Sequence, residues 1–263
     1  MTGQVLFIPH GGGPLPLLCD PEHRQLTDFL RALGPSLNRP AAIVVISAHW
    51  EAAPVTITSG ESPGLIYDYY GFPEAAYRIQ YPAPGAPWLA EKILGYLNQA
   101  GIPARLDPER GFDHGLFVPL KLMFPAADIP CVQISLLRGL EPAAHIDIGK
   151  ALAGLRADNA LVLGSGFSFH NMDAFFAPRD GRADAGNLAF EAWLHGCCVA
   201  PNLRADEREQ RLINWRTAPF AAYCHPCAEH LLPLHVCQGL AGSAAKRIFF
   251  GEALGKQTSA FMW

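Results

Sequence analysis

Charged residues are scarce in this chain, and several features that mark other classes of protein are missing. Only 17% of the 263 residues are charged and the net charge is −4, so no basic surface for nucleic acid is indicated. No apolar run approaches the roughly 18 residues that a transmembrane helix needs, and no polybasic segment indicates a membrane surface. Half of the residues are hydrophobic, which excludes a disordered chain and predicts a substantial core.

The cysteines do not follow the pattern of a disulfide-bonded protein or of a structural zinc site. Seven cysteines is an odd number, and residues 1–13 show neither the basic region nor the cleavage site of a signal peptide. We therefore expect free thiols and a cytoplasmic protein. Cys224 and Cys227 form a CxxC pair, but the sequence has no second pair that would complete a zinc site.

Apolar strands alternate with amphipathic helices along the chain. The run Ala41–Ser47 is continuously apolar, as in a strand that is covered on both faces, and Ala160–Gly164 is similar. Helical periodicity lies between such runs, for example at Pro87–Ala100 and Glu229–Gly239, and a late strand is expected at Arg247–Gly251. No internal repeat or linker divides the chain. The sequence predicts one α/β domain over residues 1–263, with a mainly parallel or mixed central sheet flanked by helices.

Five of the ten histidines lie in short motifs where predicted strands end or loops turn. They are His10 in FIPHGGG, His49 in VVISAHWE, His114 in GFDHGLFVPL, His170 in GSGFSFHNM and His230 in HPCAEHLLPL. Imidazole is the commonest metal ligand in proteins and the usual acid or base near neutral pH. Because ligand sites of α/β folds gather at the carboxyl ends of strands, we expect these histidines to share one site.

The glycine-rich turn after His10 has other interpretations. Its glycines allow the backbone to approach a ligand closely, as in a phosphate-binding loop, but the GxxxxGK[ST] and GxGxxG spacings are absent. An esterase oxyanion loop would need a GxSxG motif, and Gly164-Ser165-Gly166 fails that spacing. A purely structural turn remains the alternative for His10 considered alone.

Two imidazoles at the ends of adjacent strands need one more donor to form a catalytic metal site. His10 and His49 would supply two donors, and Glu229 or His230 the third, which leaves positions open on the ion. His225 is interpreted as a loop or pocket residue. The remaining histidines lie on predicted helices and are expected at the surface or in packing: His23, His145, His195 and His235.

The order of the motifs resembles the class III extradiol ring-cleavage dioxygenases (catalytic LigB-type subunit), and among them the DOPA 4,5-dioxygenase-like branch. The matching segments are His10–Pro14 for H-G-[ST]-P, Ser47–Trp50 for SAHW, Tyr67–Pro73 with Tyr81–Gly85 for YDFYGFP and YPAPG, Gly111–Leu120 for G-[LF]-DHG, His170-Asn171, and His225–Leu234 for PxPxHxLPL. Each motif is weak alone, but six in the same order, from about residue 7 to about residue 240, are specific.

The resemblance implies an oxidoreductase that opens the ring of a catechol-type aromatic substrate with O2. It implies a non-haem Fe(II) site, which in this branch is also often isolated with Zn(II). The metal ligands of the family correspond to His10, His49 and His230. The acid or base corresponds to His170, for which an additional metal contact is an alternative, and a further histidine near the substrate corresponds to His114.

A substrate pocket should lie beside this metal. The segment from Tyr67 to Phe72 is unusually aromatic for a solvated loop, and we expect Tyr67, Tyr70 and Phe72 to line the pocket together with Gly12 and His225. Gly12 departs from the serine or threonine of the family. We expect the missing hydroxyl to loosen contacts near the metal and to broaden the substrate range.

Two other functions remain open for the same histidines. A zinc hydrolase would lower the pKa of bound water to about 7 and would act without oxygen. A non-catalytic metal-binding protein would have kept the fold and the ligands but not the turnover. No motif indicates an oligomeric state.

Overall fold

Eight strands form the central sheet of the computed structural model, which describes residues 3–178 and 183–263. Their order across the sheet is β4 (Ala104–Asp107), β3 (Val55–Thr58), β5 (Cys131–Leu137), β2 (Ala42–Ala52), β6 (Ala160–Gly166), β1 (Val5–Pro9), β8 (Lys256–Met262) and β7 (Lys246–Ala253). Strands β5, β2, β6 and β1 are parallel, whereas β3 and β8 pair antiparallel with their inner neighbours. The predicted single α/β domain with a mixed sheet is confirmed.

Helices cover both faces of this sheet. The α-helices of the described residues are α1 (Arg24–Ser36), α2 (Pro87–Gln99), α3 (His114–Met123), α4 (Pro142–Ala151), α5 (Met172–Phe176), α6 (Ala185–Val199), α7 (Ala205–Ile213), α8 (Ala221–Cys224) and α9 (Leu232–Ala241). Short 3-10 helices lie at Leu15–Leu18, Pro21–His23, Glu74–Arg78, Ala153–Asp158 and Trp215–Thr217. Within those described ranges, none of the helices combines the length and the apolar character that crossing a membrane requires.

The apolar run of β2 reflects burial on both sides. Val44 and Ile46 belong to the core under α2, α4, α6 and α9, whereas Ile43 and Val45 belong to the core under α1 and α3. Side chains of a strand alternate between the two faces, so a strand between two helical layers is apolar at every position. This packing fixes the strand whose end carries His49.

The strand order brings the predicted site residues to one edge of the sheet. β1 ends at Pro9, immediately before His10, and β6 ends at Gly166, just before the segment with His170. β6 lies between β1 and β2, and the three strands are parallel. Their carboxyl ends therefore meet on the same side of the sheet, where ligand sites of such folds form.

Two element boundaries near the site differ from the sequence predictions. β2 continues past its predicted end, so His49 lies inside the strand and not after it. The helix predicted from Glu229 begins only at Leu232, with Pro233 in its first turn. His230 therefore lies in the turn before α9 and not on the helix.

The last strand along the chain, β8, was not predicted, whereas the late strand expected at Arg247–Gly251 corresponds to β7. β8 pairs with β1 through Leu6 opposite Met262 and Phe7 opposite Phe261. Its sequence is mixed in polarity because Thr258 and Ser259 are buried polar residues that bond to other side chains. Burial of hydroxyls conceals the apolar pattern that identifies a strand.

Candidate metal centre

Three histidines converge at the edge of the sheet where β1, β2 and β6 have their carboxyl-terminal parts. His10, His49 and His230 can each offer one ring nitrogen within 4.8 Å of the other two. The Nε2 atoms of His10 and His49 are 2.9 Å apart, and the ring centroid of His230 lies 5.2 Å and 4.8 Å from those of His10 and His49. The structure thus brings together the three residues that the family resemblance assigned to the metal.

Hydrogen bonds determine which ring nitrogen of His10 faces this cluster. The Ser165 hydroxyl donates to the carbonyl oxygen of Gly115, so its oxygen accepts from His10 Nδ1–H at 3.1 Å. The lone pair of His10 Nε2 therefore faces His49. Gly115 has no room for a side chain here, because a Cβ would lie 2.5 Å from Ser47 Oγ and 3.3 Å from Cδ2 of His49.

Glu229 orients a pair of stacked imidazoles. The rings of His170 and His230 are 10° from parallel, with centroids 3.3 Å apart. Glu229 Oε1 accepts from His230 Nδ1–H at 2.9 Å and lies 3.3 Å from His170 Nδ1. Burial alone would raise the pKa of Glu229, but hydrogen bonds from His170 and His230 hold it well below its ordinary value. Since Glu229 interacts with the Nδ1 atoms of His170 and His230, the Nε2 atoms of both rings point away from Glu229.

Burial keeps the three clustered imidazoles neutral. His10 is 1% exposed and His230 is 4% exposed. Burial, reinforced by repulsion from neighbouring imidazoles, lowers the pKa of His10 and of His49 well below the ordinary value and the pKa of His230 to about 3. Neutral imidazole is the form that binds a metal, so the lowered pKa values favour binding of a cation at neutral pH.

His114 joins the cluster as the first residue of α3. Its ring centroid lies 3.8 Å from that of His49 and 5.4 Å from that of His10. Its Nδ1–H donates to Asp68 Oδ1 at 2.8 Å, and its backbone N–H donates to the same oxygen at 3.1 Å. The sequence analysis did not identify Asp68 as a residue of the site. The signal that could have identified it is a single carboxylate inside the aromatic segment.

Asp113, the sequence neighbour of His114, points elsewhere. It is 0% exposed and accepts hydrogen bonds from Ser47 Oγ at 2.8 Å and from Gln133 Nε2. Since Ser47 lies two residues before His49, the buried carboxylate of Asp113 supports the end of β2 and not the ring of His114.

Tyr69, rather than Tyr70, is the tyrosine that the aromatic segment turns toward the histidines. Its ring lies 5.7 Å from that of His114 and 5.4 Å from that of Phe72. Tyr67 lies on the same side, 6.1 Å from Tyr69. The side chain of Tyr70 is 92% exposed and points to solvent. The pocket role expected of Tyr70 is therefore corrected, because alternate residues of an extended segment face opposite sides.

Gly12 faces a buried histidine and not the metal. A Cβ on Gly12 would lie 3.1 Å from Leu254 and 3.4 Å from Nε2 of His23. The N–H of Gly12 donates to His23 Nε2 at 2.9 Å, and His23 Nδ1–H donates to Asp20 at 2.6 Å. A side chain at this position would therefore begin against Leu254 and His23, and the broader substrate range expected from the missing hydroxyl stays a prediction. The interaction identifies His23 as support for the turn.

His225 does not line a pocket either. It is 0% exposed, and its ring packs against Phe190 and Trp215 with centroids 5.3 Å and 5.8 Å away. Its Nε2–H donates to the carbonyl oxygen of Ser168 at 2.9 Å. The predicted pocket role is corrected, because His225 instead stabilises the segment that leads to His170.

All seven cysteines are free, as their odd number predicted. Cys224 is buried, with its thiol directed to the carbonyl oxygen of Gly186, whereas Cys227 is exposed. The two cysteines of the CxxC segment therefore do not face a common site.

The donor set fits a catalytic transition metal. Nitrogen ligands about 2.1 Å from one tetrahedral ion lie roughly 3.4 Å from each other. The donor nitrogens of His10, His49 and His230 lie within 4.8 Å of one another, so small side-chain shifts would bring them to one ion. Two ring nitrogens 2.9 Å apart in a buried site must share a proton or a cation. Two further groups of donors share histidines with the first: His49, Asp68 and His114, and His170, Glu229 and His230. The five histidines form one continuous site.

Comparisons with known proteins agree with this geometry. The family model described as the catalytic LigB subunit of aromatic ring-opening dioxygenase matches residues 4–261. The dioxygenase tasH of Hapsidospora irregularis is 41% identical over 274 residues, which covers 98% of this chain and 85% of the relative. The 4,5-DOPA dioxygenase extradiol of Portulaca grandiflora is 37% identical over 250 residues, covering 92% and 88%. The crystal structure of an uncharacterized protein from Escherichia coli K12 superposes with a TM-score of 0.80 at 31% identity, covering 99% of both chains.

Proposed function

Because the chain belongs to the family of catalytic LigB subunits of aromatic ring-opening dioxygenases, and is an oxidoreductase of the extradiol type, we propose that it opens a catechol-type ring with O2 at a non-haem Fe(II) centre. The observation that carries the proposal is the buried convergence of His10, His49 and His230 beside two further histidines oriented by carboxylates. Relatives named 4,5-DOPA dioxygenase extradiol support the reaction class.

His10, His49 and His230 are the proposed metal ligands. The hydrogen bonds of His10 to Ser165 and of His230 to Glu229 leave the Nε2 atoms of both rings as donors. The proposed role of Glu229 is to orient His170 and His230, because its Oε1 interacts with both imidazoles. A ferrous ion would supply a redox-active Lewis acid with open positions for a diol and O2. Zn(II) suits the same donors and is the ion expected in some purified preparations.

His170 is the proposed acid or base. Its side chain is 20% exposed, compared with 5% for the stacked ring of His230. Glu229 holds its Nδ1 side, so Nε2 is left to accept a proton from a substrate hydroxyl and to return it after ring opening. An additional contact to the metal is the alternative, because the two rings are stacked.

The aromatic wall of the proposed pocket is formed by Tyr69 and Phe72. Phe72 lies against the turn that follows His10, where a Cβ on Gly13 would be 3.4 Å from its ring. Tyr69 lies between Phe72 and His114. Flat apolar surfaces beside the metal suit a planar substrate, for which we propose a small aromatic diol.

Oxygen uptake by the iron-loaded protein tests this proposal. The protein is loaded with Fe(II) without oxygen, mixed with a panel of catechols, and exposed to O2. We expect oxygen consumption together with a yellow ring-fission product. His49→Ala should abolish metal binding and turnover, whereas His195→Gln, which removes a half-buried imidazole from α6, should preserve both.

The alternatives give different results. Hydrolysis of a panel of esters and amides by the zinc-loaded protein without oxygen would identify a zinc hydrolase, for which the same three nitrogen donors are suitable. Stoichiometric metal without turnover on any catechol would identify a non-catalytic metal-binding protein. A cytoplasmic location is part of the proposal and is supported by the seven free cysteines.

A further inference from the structure

We propose that Asp68 is a positioning residue that fixes the proton of His114 on Nδ1, so that Nε2 accepts a hydrogen bond from a substrate hydroxyl. The identity of the hydrogen-bond donor rests on the proposed function. The position of the proton on the ring does not.

One carboxylate oxygen holds both N–H groups of His114. Asp68 Oδ1 accepts from Nδ1–H at 2.8 Å and from the backbone N–H at 3.1 Å. The backbone contact fixes the start of α3, and the ring contact fixes the rotation of the side chain on it. Turning the ring over would lose the Nδ1 hydrogen bond at a residue that is 5% exposed. The ring therefore has one favoured orientation.

Asp68 can only accept, which determines where the proton of His114 lies. Its Oδ1 already accepts the backbone N–H of His114 at 3.1 Å, so this oxygen directs lone pairs, and not a proton, toward His114. The hydrogen in the 2.8 Å contact therefore belongs to His114 Nδ1. A neutral ring then has its lone pair on Nε2.

The lone pair of Nε2 faces the shared histidine site. Nε2 lies across the ring from Nδ1 and so points away from Asp68, beside the rings of His49 and His10. Tyr69 does not compete for it, because its hydroxyl donates to the carbonyl oxygen of Ala76 at 2.7 Å. Among residues 3–178 and 183–263, no side chain donates a hydrogen bond to this nitrogen.

The site thus contains two imidazoles that each have a carboxylate next to Nδ1. His170 has Glu229 on its Nδ1 side, and His114 has Asp68 there. A diol that binds a cation through both oxygens has two hydroxyl protons to release or share. Two imidazole acceptors, each held by a carboxylate, match the two hydroxyl groups of that substrate.

The proton position is measurable without turnover. Long-range proton–nitrogen NMR spectra of the zinc-loaded protein, labelled with 15N in histidine, distinguish Nδ1–H from Nε2–H rings, and the His114→Gln variant identifies the His114 signals. We expect Nδ1–H in the wild type and a population with Nε2–H in Asp68→Asn and Asp68→Ala. Glu74→Gln removes an exposed carboxylate of the same loop and should leave the spectrum of His114 unchanged. A wild-type Nε2–H ring, or an unchanged ring in Asp68→Ala, would overturn the inference.

Binding of 4-nitrocatechol to the zinc-loaded protein provides the second measurement. Loss of one hydrogen bond should weaken binding by about tenfold in Asp68→Asn, with metal content unchanged. Loss of the metal from Asp68→Asn would overturn the positioning role in favour of a ligand role within the group of His49, Asp68 and His114. The correct proton position in a protein that opens no catechol would support the inference while refuting the proposed function.

Discussion

Glu191 is a buried carboxylate behind the site, and its replacement should change how stability depends on pH. It lies on α6, is 1% exposed, and accepts hydrogen bonds from the hydroxyls of Ser168 and Ser259, the latter at 2.6 Å. The N–H of Ser259 donates to Ser168 Oγ at 2.9 Å. These contacts connect α6 and β8 to the segment before His170. Glu191→Gln keeps the volume of the side chain and removes its ability to ionise.

The size of the change in stability follows from the pKa of Glu191. Burial, only partly offset by the hydroxyls of Ser168 and Ser259, raises the pKa of Glu191 from its ordinary 4.5 to about 7. Because the folded state holds this proton more tightly, the stabilisation is complete below pH 4.5 and is lost as the pH rises through about 7. The difference corresponds to about 3 kcal/mol of unfolding free energy, at about 1.4 kcal/mol for each pKa unit.

Urea unfolding of both proteins at pH 5 and pH 8 checks this prediction. A chelator is included because metal affinity itself depends on pH. Between these pH values the wild type should lose about 2 to 3 kcal/mol of stability relative to Glu191→Gln. Buried histidines such as His145, whose pKa burial lowers to about 4, oppose the trend but cancel in the comparison. A stability difference that is the same at both pH values would refute the reasoning.

Three further predictions concern the site. His170→Ala should keep its metal but lose activity by a factor on the order of 10² to 10⁴, as measured by metal analysis and kcat, and complete loss of the metal would assign His170 to the ligands. His23→Leu removes the acceptor for the N–H of Gly12 in the turn after His10 and should weaken Zn(II) binding by about 10- to 100-fold in a competition titration. An unchanged Zn(II) affinity would show that His23 contributes only to packing. Tyr69→Leu should raise KM for a catechol by about tenfold, the effect of about 1.4 kcal/mol, while Tyr70→Leu should not, and equal effects would contradict the assignment of the pocket wall.

Much of the fold and the main ligands could be predicted from the sequence because they depend on local pattern. A strand buried on both faces must be apolar at each position, and helices between such strands favour a parallel core. The parallel core in turn gathers the strand ends, which is why His10 and His49 could be expected together. The resemblance of the ordered motifs selected His230 over Glu229, although periodicity had wrongly placed His230 on a helix.

The partners of each imidazole were decided only by the tertiary structure. Ser165, which orients His10, lies 155 residues away in the chain, and Asp68 is 46 residues from His114, while the adjacent Asp113 points elsewhere. Local sequence could not separate Tyr69 from its neighbour Tyr70 either. Backbone direction and long-range packing determine which side chains meet, and a hydrogen bond acts over about 3 Å of space regardless of distance along the chain.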